Sequence, residues 1–156
     1  ENAFKKLKKT VESVYRYGIR FPPEFFNGKS LIDLGSGTGD WIIFSAIWGA
    51  KCTLVEINDD AIEIAKDVFK KYSPKYEDHH FINSSLFDFD YPSYKEKFDV
   101  GHSRGVLTHV ADKELGFRIL ASLIKPGGYL IFSDRNTAGG IQEMLQRLAI
   151  YQFHFF

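Results

Sequence analysis

With 156 residues the chain is long enough for one domain with a buried core. Its 20 basic and 20 acidic residues cancel, so no net field draws it toward nucleic acid or a membrane surface. The single cysteine, Cys52, excludes an internal disulfide and suits a reducing, cytoplasmic setting, and neither a secretory signal nor a membrane-spanning apolar run is expected.

The first element is an amphipathic helix over Asn2 to about Tyr17. Its lysines (Lys5, Lys6, Lys8, Lys9) alternate with Phe4, Leu7, Val11 and Val14 at helical spacing, so they read as a solvated face. Pro22-Pro23 breaks the chain before a turn over Glu24 to Gly28. Ser30 to Leu34 is the first strand. Asp40 to Trp48 is a helix, apolar nearly all round and so expected to be covered on every side. Lys51 to Ile57 is a second buried strand. Asn58 or Asp59 caps a helix that runs to about Tyr72, with Ile62, Ala65 and Phe69 inward, and Pro74 ends it. His80 to Asn83 and Phe98 to Ser103 are the third and fourth strands. Asp112 to Ile124 is a helix with Leu115, Ile119, Leu120 and Leu123 inward. Pro126-Gly127-Gly128 stops it and turns the chain into a fifth strand, Tyr129 to Ser133. Gly140 to Tyr151 is a last helix. Such alternation predicts an α/β fold whose mostly parallel, doubly wound sheet has right-handed crossovers.

The most informative stretch is Leu31-Ile-Asp-Leu-Gly-Ser-Gly-Thr-Gly-Asp40. A buried strand ends in glycines at 35, 37 and 39, and a helix follows at once. Glycines let the backbone take positive φ and let a ligand approach without interference from Cβ. Free N–H groups at the start of the next helix are expected to face that ligand. A dinucleotide fingerprint would need a small residue at position 40, where Asp40 would face a pyrophosphate. A phosphate-binding loop would need a Gly-Lys-Ser/Thr that is absent. Glu56 ends the second strand, where a carboxylate can accept the two hydroxyls of a ribose. NAD enzymes share that acid, so Glu56 does not discriminate cofactors and the glycine spacing does. His79-His80 has no partner at ligand spacing, so no metal site is expected.

The pattern Asp33-x-Gly35-x-Gly37-x-Gly39 resembles the first motif of class I S-adenosylmethionine-dependent methyltransferases. Three further segments resemble that family: Glu56-Ile57, Phe81 to Asp88, and Phe98-Asp-Val-Gly-His-Ser-Arg-Gly-Val-Leu-Thr-His-Val110. Lys125 to Phe132 resembles its entry into the fifth strand, and the likeness covers roughly 27–135. The resemblance implies a Rossmann-like sheet in the order 3-2-1-4-5. It also implies S-adenosylmethionine as cofactor, S-adenosylhomocysteine as product, and methyl transfer to an O, N or C atom of a small-molecule acceptor.

Carried over position by position, the resemblance places Asp33 beneath the methionine part and Gly35, Ser36, Gly37 and Gly39 in the turn that binds the cofactor. It places Glu56 on the ribose, Ile57 on adenine, Ser85 and Leu86 beside the adenine edge, and Ser103 and Arg104 along the cofactor. Asp88 is the alternative to Ser85. His109 is the candidate general base, whereas His102 reads as a strand histidine facing the sheet surface. Tyr15, Tyr17 and Trp41 are candidate aromatic neighbours for a cation.

One domain is expected over 1–156: a helical cap (1–28), the cofactor-binding core (29–135) and a C-terminal helix (136–156). The family's final antiparallel hairpin is expected to be missing and the C-terminus cut short. The aromatic end (Phe153, Phe155, Phe156) is then a surface for a second copy or for the missing segment. Two rivals stay open: a non-catalytic cofactor- or partner-binding remnant of the fold, and a Rossmann-type NAD or nucleotide-sugar enzyme.

Overall fold

The computed structural model describes residues 2–133. The strands are β1 (Ser30–Leu34), β2 (Lys51–Glu56), β3 (His80–Asn83), β4 (Phe98–Arg104) and β5 (Ile124–Ser133). The helices are α1 (Asn2–Ser13), α2 (Ile42–Ile47), α3 (Asp59–Tyr72) and α4 (Lys113–Ser122). All five strands run parallel in one sheet, ordered β3-β2-β1-β4-β5 as the sequence predicts. β1 is therefore central, and the strand order reverses beside it. A crevice at the carboxyl ends of the strands opens at such a reversal.

Side chains alternate across the sheet, which divides the core in two. Leu31, Leu54 and Val100 face α1, α2 and α3 and pack under Val11, Ile43, Phe44, Ile62 and Phe69. Ile32, Leu34, Val55 and Phe98 face the other way and pack under Ile119, Leu120 and Leu123. Each of these large side chains contributes about 1.5–3 kcal/mol on burial. Asn58 caps α3 by accepting the Ala61 N–H at 2.9 Å, and Asp112 caps α4 by accepting the Leu115 N–H at 2.8 Å.

The differences from expectation are local. α1 stops at Ser13 and gives way to a wider turn over Val14–Gly18, in which the Ile19 N–H donates to the Val14 carbonyl. α2 starts at Ile42 rather than Asp40, because the glycine turn extends to Trp41. Leu115 is exposed rather than inward: the buried stripe of α4 runs through Gly116, Ile119 and Leu120. Gly116 lets α4 approach Leu107 so closely that a Cβ would lie 2.9 Å from the Leu107 side chain. α4 ends at Ser122, and Ile124 already pairs with Phe98 in the sheet. Ile124 also fills the space at Gly101, where a Cβ would meet it at 2.6 Å, so that glycine serves packing. The expected helix over 140–151 and the aromatic terminus lie outside the described residues.

Candidate active site

The turn after β1 is built on three glycines with positive φ, 72° at Gly35, 55° at Gly37 and 75° at Gly39. Each answers a different need. A Cβ on Gly35 would lie 2.3 Å from the Val106 side chain. One on Gly39 would press on Ala65 and Phe69 of α3 at 3.3 Å. One on Gly37 would meet nothing within 4 Å. Two of the glycines therefore let the chain pack, and Gly37 alone leaves open room above the backbone.

Four backbone donors of this turn have protein acceptors. The Gly35 and Ser36 N–H groups both donate to the Val55 carbonyl, at 2.8 and 3.2 Å. The Gly37 N–H donates to Glu56 Oε2 at 2.8 Å, and the Gly39 N–H to the Ser36 carbonyl at 3.1 Å. Glu56 Oε1 accepts the Asn58 N–H at 2.9 Å. Glu56 thus ties the end of β2 to the turn, while its carboxylate still borders a cavity.

Among the described residues, three hollows meet at the carboxyl end of the sheet. The largest, about 420 Å³, is bordered by Glu56, Ile57, Ser85, Leu86, Val106 and His109. A second, about 220 Å³, lies over the turn and is bordered by Asp33, Ser36, Gly37, Thr38 and Asp40. The third, about 270 Å³, lies between Val14, Tyr15 and Ile19 on one side and Ile131 and Phe132 on the other. Trp41, His102 and Arg104 border both the second and the third.

The expected residues divide among these spaces. Glu56, Ile57, Ser85 and Leu86 come together in the large cavity, and His109 lies with them. Ile57 is an exposed apolar side chain there. Ser85 has its hydroxyl engaged in the turn: it donates to the Asp88 carboxylate and accepts the Phe87 and Asp88 N–H groups. Asp88 itself is exposed and outside the cavity lining. Asp33 and Ser36 border the hollow over the turn, and the Ser36 hydroxyl is buried without a hydrogen-bond partner among the described residues. Buried hydroxyls are seldom left so. The Ser103 hydroxyl is buried against the Leu34 carbonyl at 3.1 Å and holds β4 to β1. Arg104 lays its guanidinium over the Trp41 indole, 3.6 Å from the ring centroid. Tyr17 is exposed, whereas Tyr15 is buried, and burial pushes its phenol well above the usual range, with the nearby Asp33 charge adding to the effect.

His102 is the residue that sequence reasoning misplaced. It is buried rather than facing the sheet surface, and its Nδ1–H donates to Asp33 Oδ1 at 2.9 Å. Asp33 and His102 are register partners on adjacent strands, so their side chains share a face. The signal was available: with β1 and β4 adjacent, alternation puts both beside the buried Leu31 and Val100 side. Among the described residues no group of three His, Cys, Asp or Glu side chains could hold a metal ion, and no helix is long and apolar enough to cross a membrane.

A pyrophosphate needs free N–H donors at the turn, and here four of them already have protein acceptors while Asp33, Asp40 and Glu56 supply negative charge. A family described as a methyltransferase domain matches residues 6–154. The chain belongs to the class I S-adenosylmethionine-dependent methyltransferases. The cofactor of that family is S-adenosylmethionine, with S-adenosylhomocysteine as its product. Among its relatives, the ubiquinone/menaquinone biosynthesis C-methyltransferase UbiE of Vibrio cholerae is 30% identical over 131 residues, covering 81% of this chain and 48% of UbiE. The O-methyltransferase cnsE of Penicillium expansum is 25% identical over 118 residues, covering 75% and 41%. A crystal structure of an S-adenosylmethionine-dependent methyltransferase from Mesorhizobium loti aligns with a TM-score of 0.60 at 22% identity, covering 71% of this chain and 49% of that one. That last likeness concerns the fold. The methyltransferase chain spans about half the length of the relatives it matches.

Proposed function

We propose that this chain binds S-adenosylmethionine across the turn at Gly35–Gly39 and transfers its methyl group to an O, N or C atom of a small molecule. One observation carries the reading. The carboxylate that organises the turn, Glu56, borders a cavity with the exposed Ile57, and the adjoining hollow opens above Gly37. The large cavity suits an adenosine: Glu56 accepts ribose hydroxyls, and Ile57 and Leu86 take the two sides of the base. The hollow over the turn suits the amino-acid end. Asp33 lies there for an ammonium, and the unpartnered Ser36 hydroxyl for the carboxylate.

The bound sulfonium supplies an electrophilic methyl group, so the protein's part is to align the acceptor and exclude water. Trp41 and Arg104 do both by closing the wall between the turn and the third hollow. His109 was the sequence's choice of base. Its place beside Ile57 and Leu86 supports a role at the nucleoside edge more than one at the acceptor. A buried free thiol at Cys52 and the absence of net charge support a cytoplasmic protein acting on a small molecule rather than on nucleic acid.

Calorimetry tests the reading. S-adenosylhomocysteine should bind with one site per chain, and NADH should give no heat of binding. Binding of NADH in its place would refute it. The alternative reading is a domain that holds the cofactor without turnover. Normal S-adenosylhomocysteine affinity with no methyl transfer to any acceptor offered would select that one.

A further inference from the structure

We infer that His102, oriented by Asp33, is the base that deprotonates the acceptor, and that the acceptor is an ionisable hydroxyl, a phenol or enol, carried on an apolar body in the 270 Å³ hollow. This rests on the methyl-transfer reading above. Three features of the site carry it.

The first is the orientation of the imidazole. Both side chains of the pair are only 5% exposed, and the Asp33 carboxylate accepts the Nδ1–H at 2.9 Å. That bond selects the tautomer with hydrogen on Nδ1 and leaves the Nε2 lone pair available. Nε2 makes no hydrogen bond among the described residues. A histidine that served packing alone would be expected to satisfy both nitrogens, as His79 does with the Cys52 N–H and the Ser73 hydroxyl.

The second is position. The His102 ring borders both the hollow over the turn and the hollow beyond it. Any group that passes between the two goes by this ring, Trp41 and Arg104. His109 borders neither.

The third is the chemistry of the far hollow. Its lining is mainly apolar, with Val14, Ile19, Ile131 and Phe132, and it includes one cation, Arg104. An amine acceptor would have to enter as, or pass through, a second positive charge beside that guanidinium. An oxygen that becomes negative is stabilised by it. An imidazole with a pKa near 6.5 takes a proton from a phenol near 10 far more readily than from an alkyl alcohol, close to water at about 15.7. The hydroxyl proton goes to His102 Nε2, the oxygen pair forms the new O–CH₃ bond, and the pair of the broken S–CH₃ bond stays on sulfur. Asp33 acts through His102 as a positioning residue.

Nitrogen NMR of the S-adenosylhomocysteine-bound protein tests the orientation without turnover. His102, assigned by its loss in His102→Asn, should show hydrogen on Nδ1 and none on Nε2, and Asp33→Asn should shift that balance. The opposite tautomer in the unmodified protein overturns the proposal. Methyl transfer to catechol and to nitrocatechol at mildly alkaline pH tests the role, since nitrocatechol is already ionised there and needs no base. His102→Asn, whose amide can still donate to Asp33, should lose roughly 10²–10⁴-fold on catechol. On nitrocatechol it should lose less than about tenfold, with S-adenosylhomocysteine affinity within about twofold of the parent. His102→Gln gives a second variant should the first melt low. Equal losses on both phenols make His102 structural and overturn the proposal. A wild-type protein that binds S-adenosylhomocysteine yet methylates neither phenol overturns the hydroxyl assignment alone. Failure to bind S-adenosylhomocysteine overturns the cofactor reading beneath it.

Discussion

Replacing the three turn glycines one at a time by alanine should separate packing from ligand access. All three have φ between 55° and 75°, so each alanine carries a similar left-handed penalty of about 1–2 kcal/mol. Gly37→Ala carries only that, because its Cβ meets open space. Gly35→Ala also drives a Cβ to 2.3 Å from Val106, a stiff β-branched side chain. Overpacking of that kind adds about 1–3 kcal/mol, for a total near 2–5 kcal/mol. Gly39→Ala falls between, since Ala65 and Phe69 stand at 3.3 Å and need move only slightly.

Affinity should follow the other order. Gly37→Ala should lose at least about tenfold in S-adenosylhomocysteine binding, roughly 1.4 kcal/mol, because its new methyl occupies the ligand's space. Urea unfolding gives the stabilities, and calorimetry well below the melting range gives the affinities. Val106→Ala in the Gly35→Ala background should recover part of the lost stability, a non-additivity diagnostic of the contact. Gly37→Ala binding as well as the parent, or Gly35→Ala unfolding no more easily than Gly37→Ala, would refute the division of roles.

Glu56→Gln puts an amide donor where the carboxylate accepts the Gly37 and Asn58 N–H groups, so S-adenosylhomocysteine affinity should fall by about 2–3 kcal/mol, roughly 30- to 150-fold; unchanged calorimetric affinity would remove Glu56 from the site. Burial pushes the Asp99 carboxyl up, but its bonds to Lys125 and Ser30 outweigh this and hold it down at about 2. Its folded value is below the unfolded 3.8, so the stability it contributes is present above about pH 4 and lost as pH falls toward 2; Asp99→Asn should remove about 1 kcal/mol of that acid dependence after allowance for solvent screening. Burial pushes the His79 imidazole below its usual value, and its bonds to the Cys52 N–H (3.1 Å) and Ser73 hydroxyl (2.6 Å) suit the neutral ring. Its contribution is therefore full above about pH 6.5 and declines as pH falls below that; His79→Ala should flatten the stability profile there, and an unchanged slope would show that the ring does not titrate with folding.

Much of the architecture was legible in the residues because its signals are local. Alternation of apolar strands with 3.6-period helices requires parallel pairing with crossovers, and the resemblance at the glycine turn supplied the strand order. The place of Glu56 and Ile57 at the end of β2 was legible because that strand ends at a predictable length. What the sequence left undecided depends on which strands lie side by side and how tightly. Whether the turn offers N–H donors depends on Val55 and Glu56, which reach it only when β2 packs beside β1. Leu115 belongs to an apolar period, yet the close approach at Gly116 rotates the stripe away from it. His102 and His109 are alike as residues on or just beyond one strand. Burial, the Asp33 carboxylate 69 positions earlier in the chain and the wall between two hollows distinguish them. Periodicity reports which way a side chain points relative to its own element, and only tertiary packing decides what it meets there.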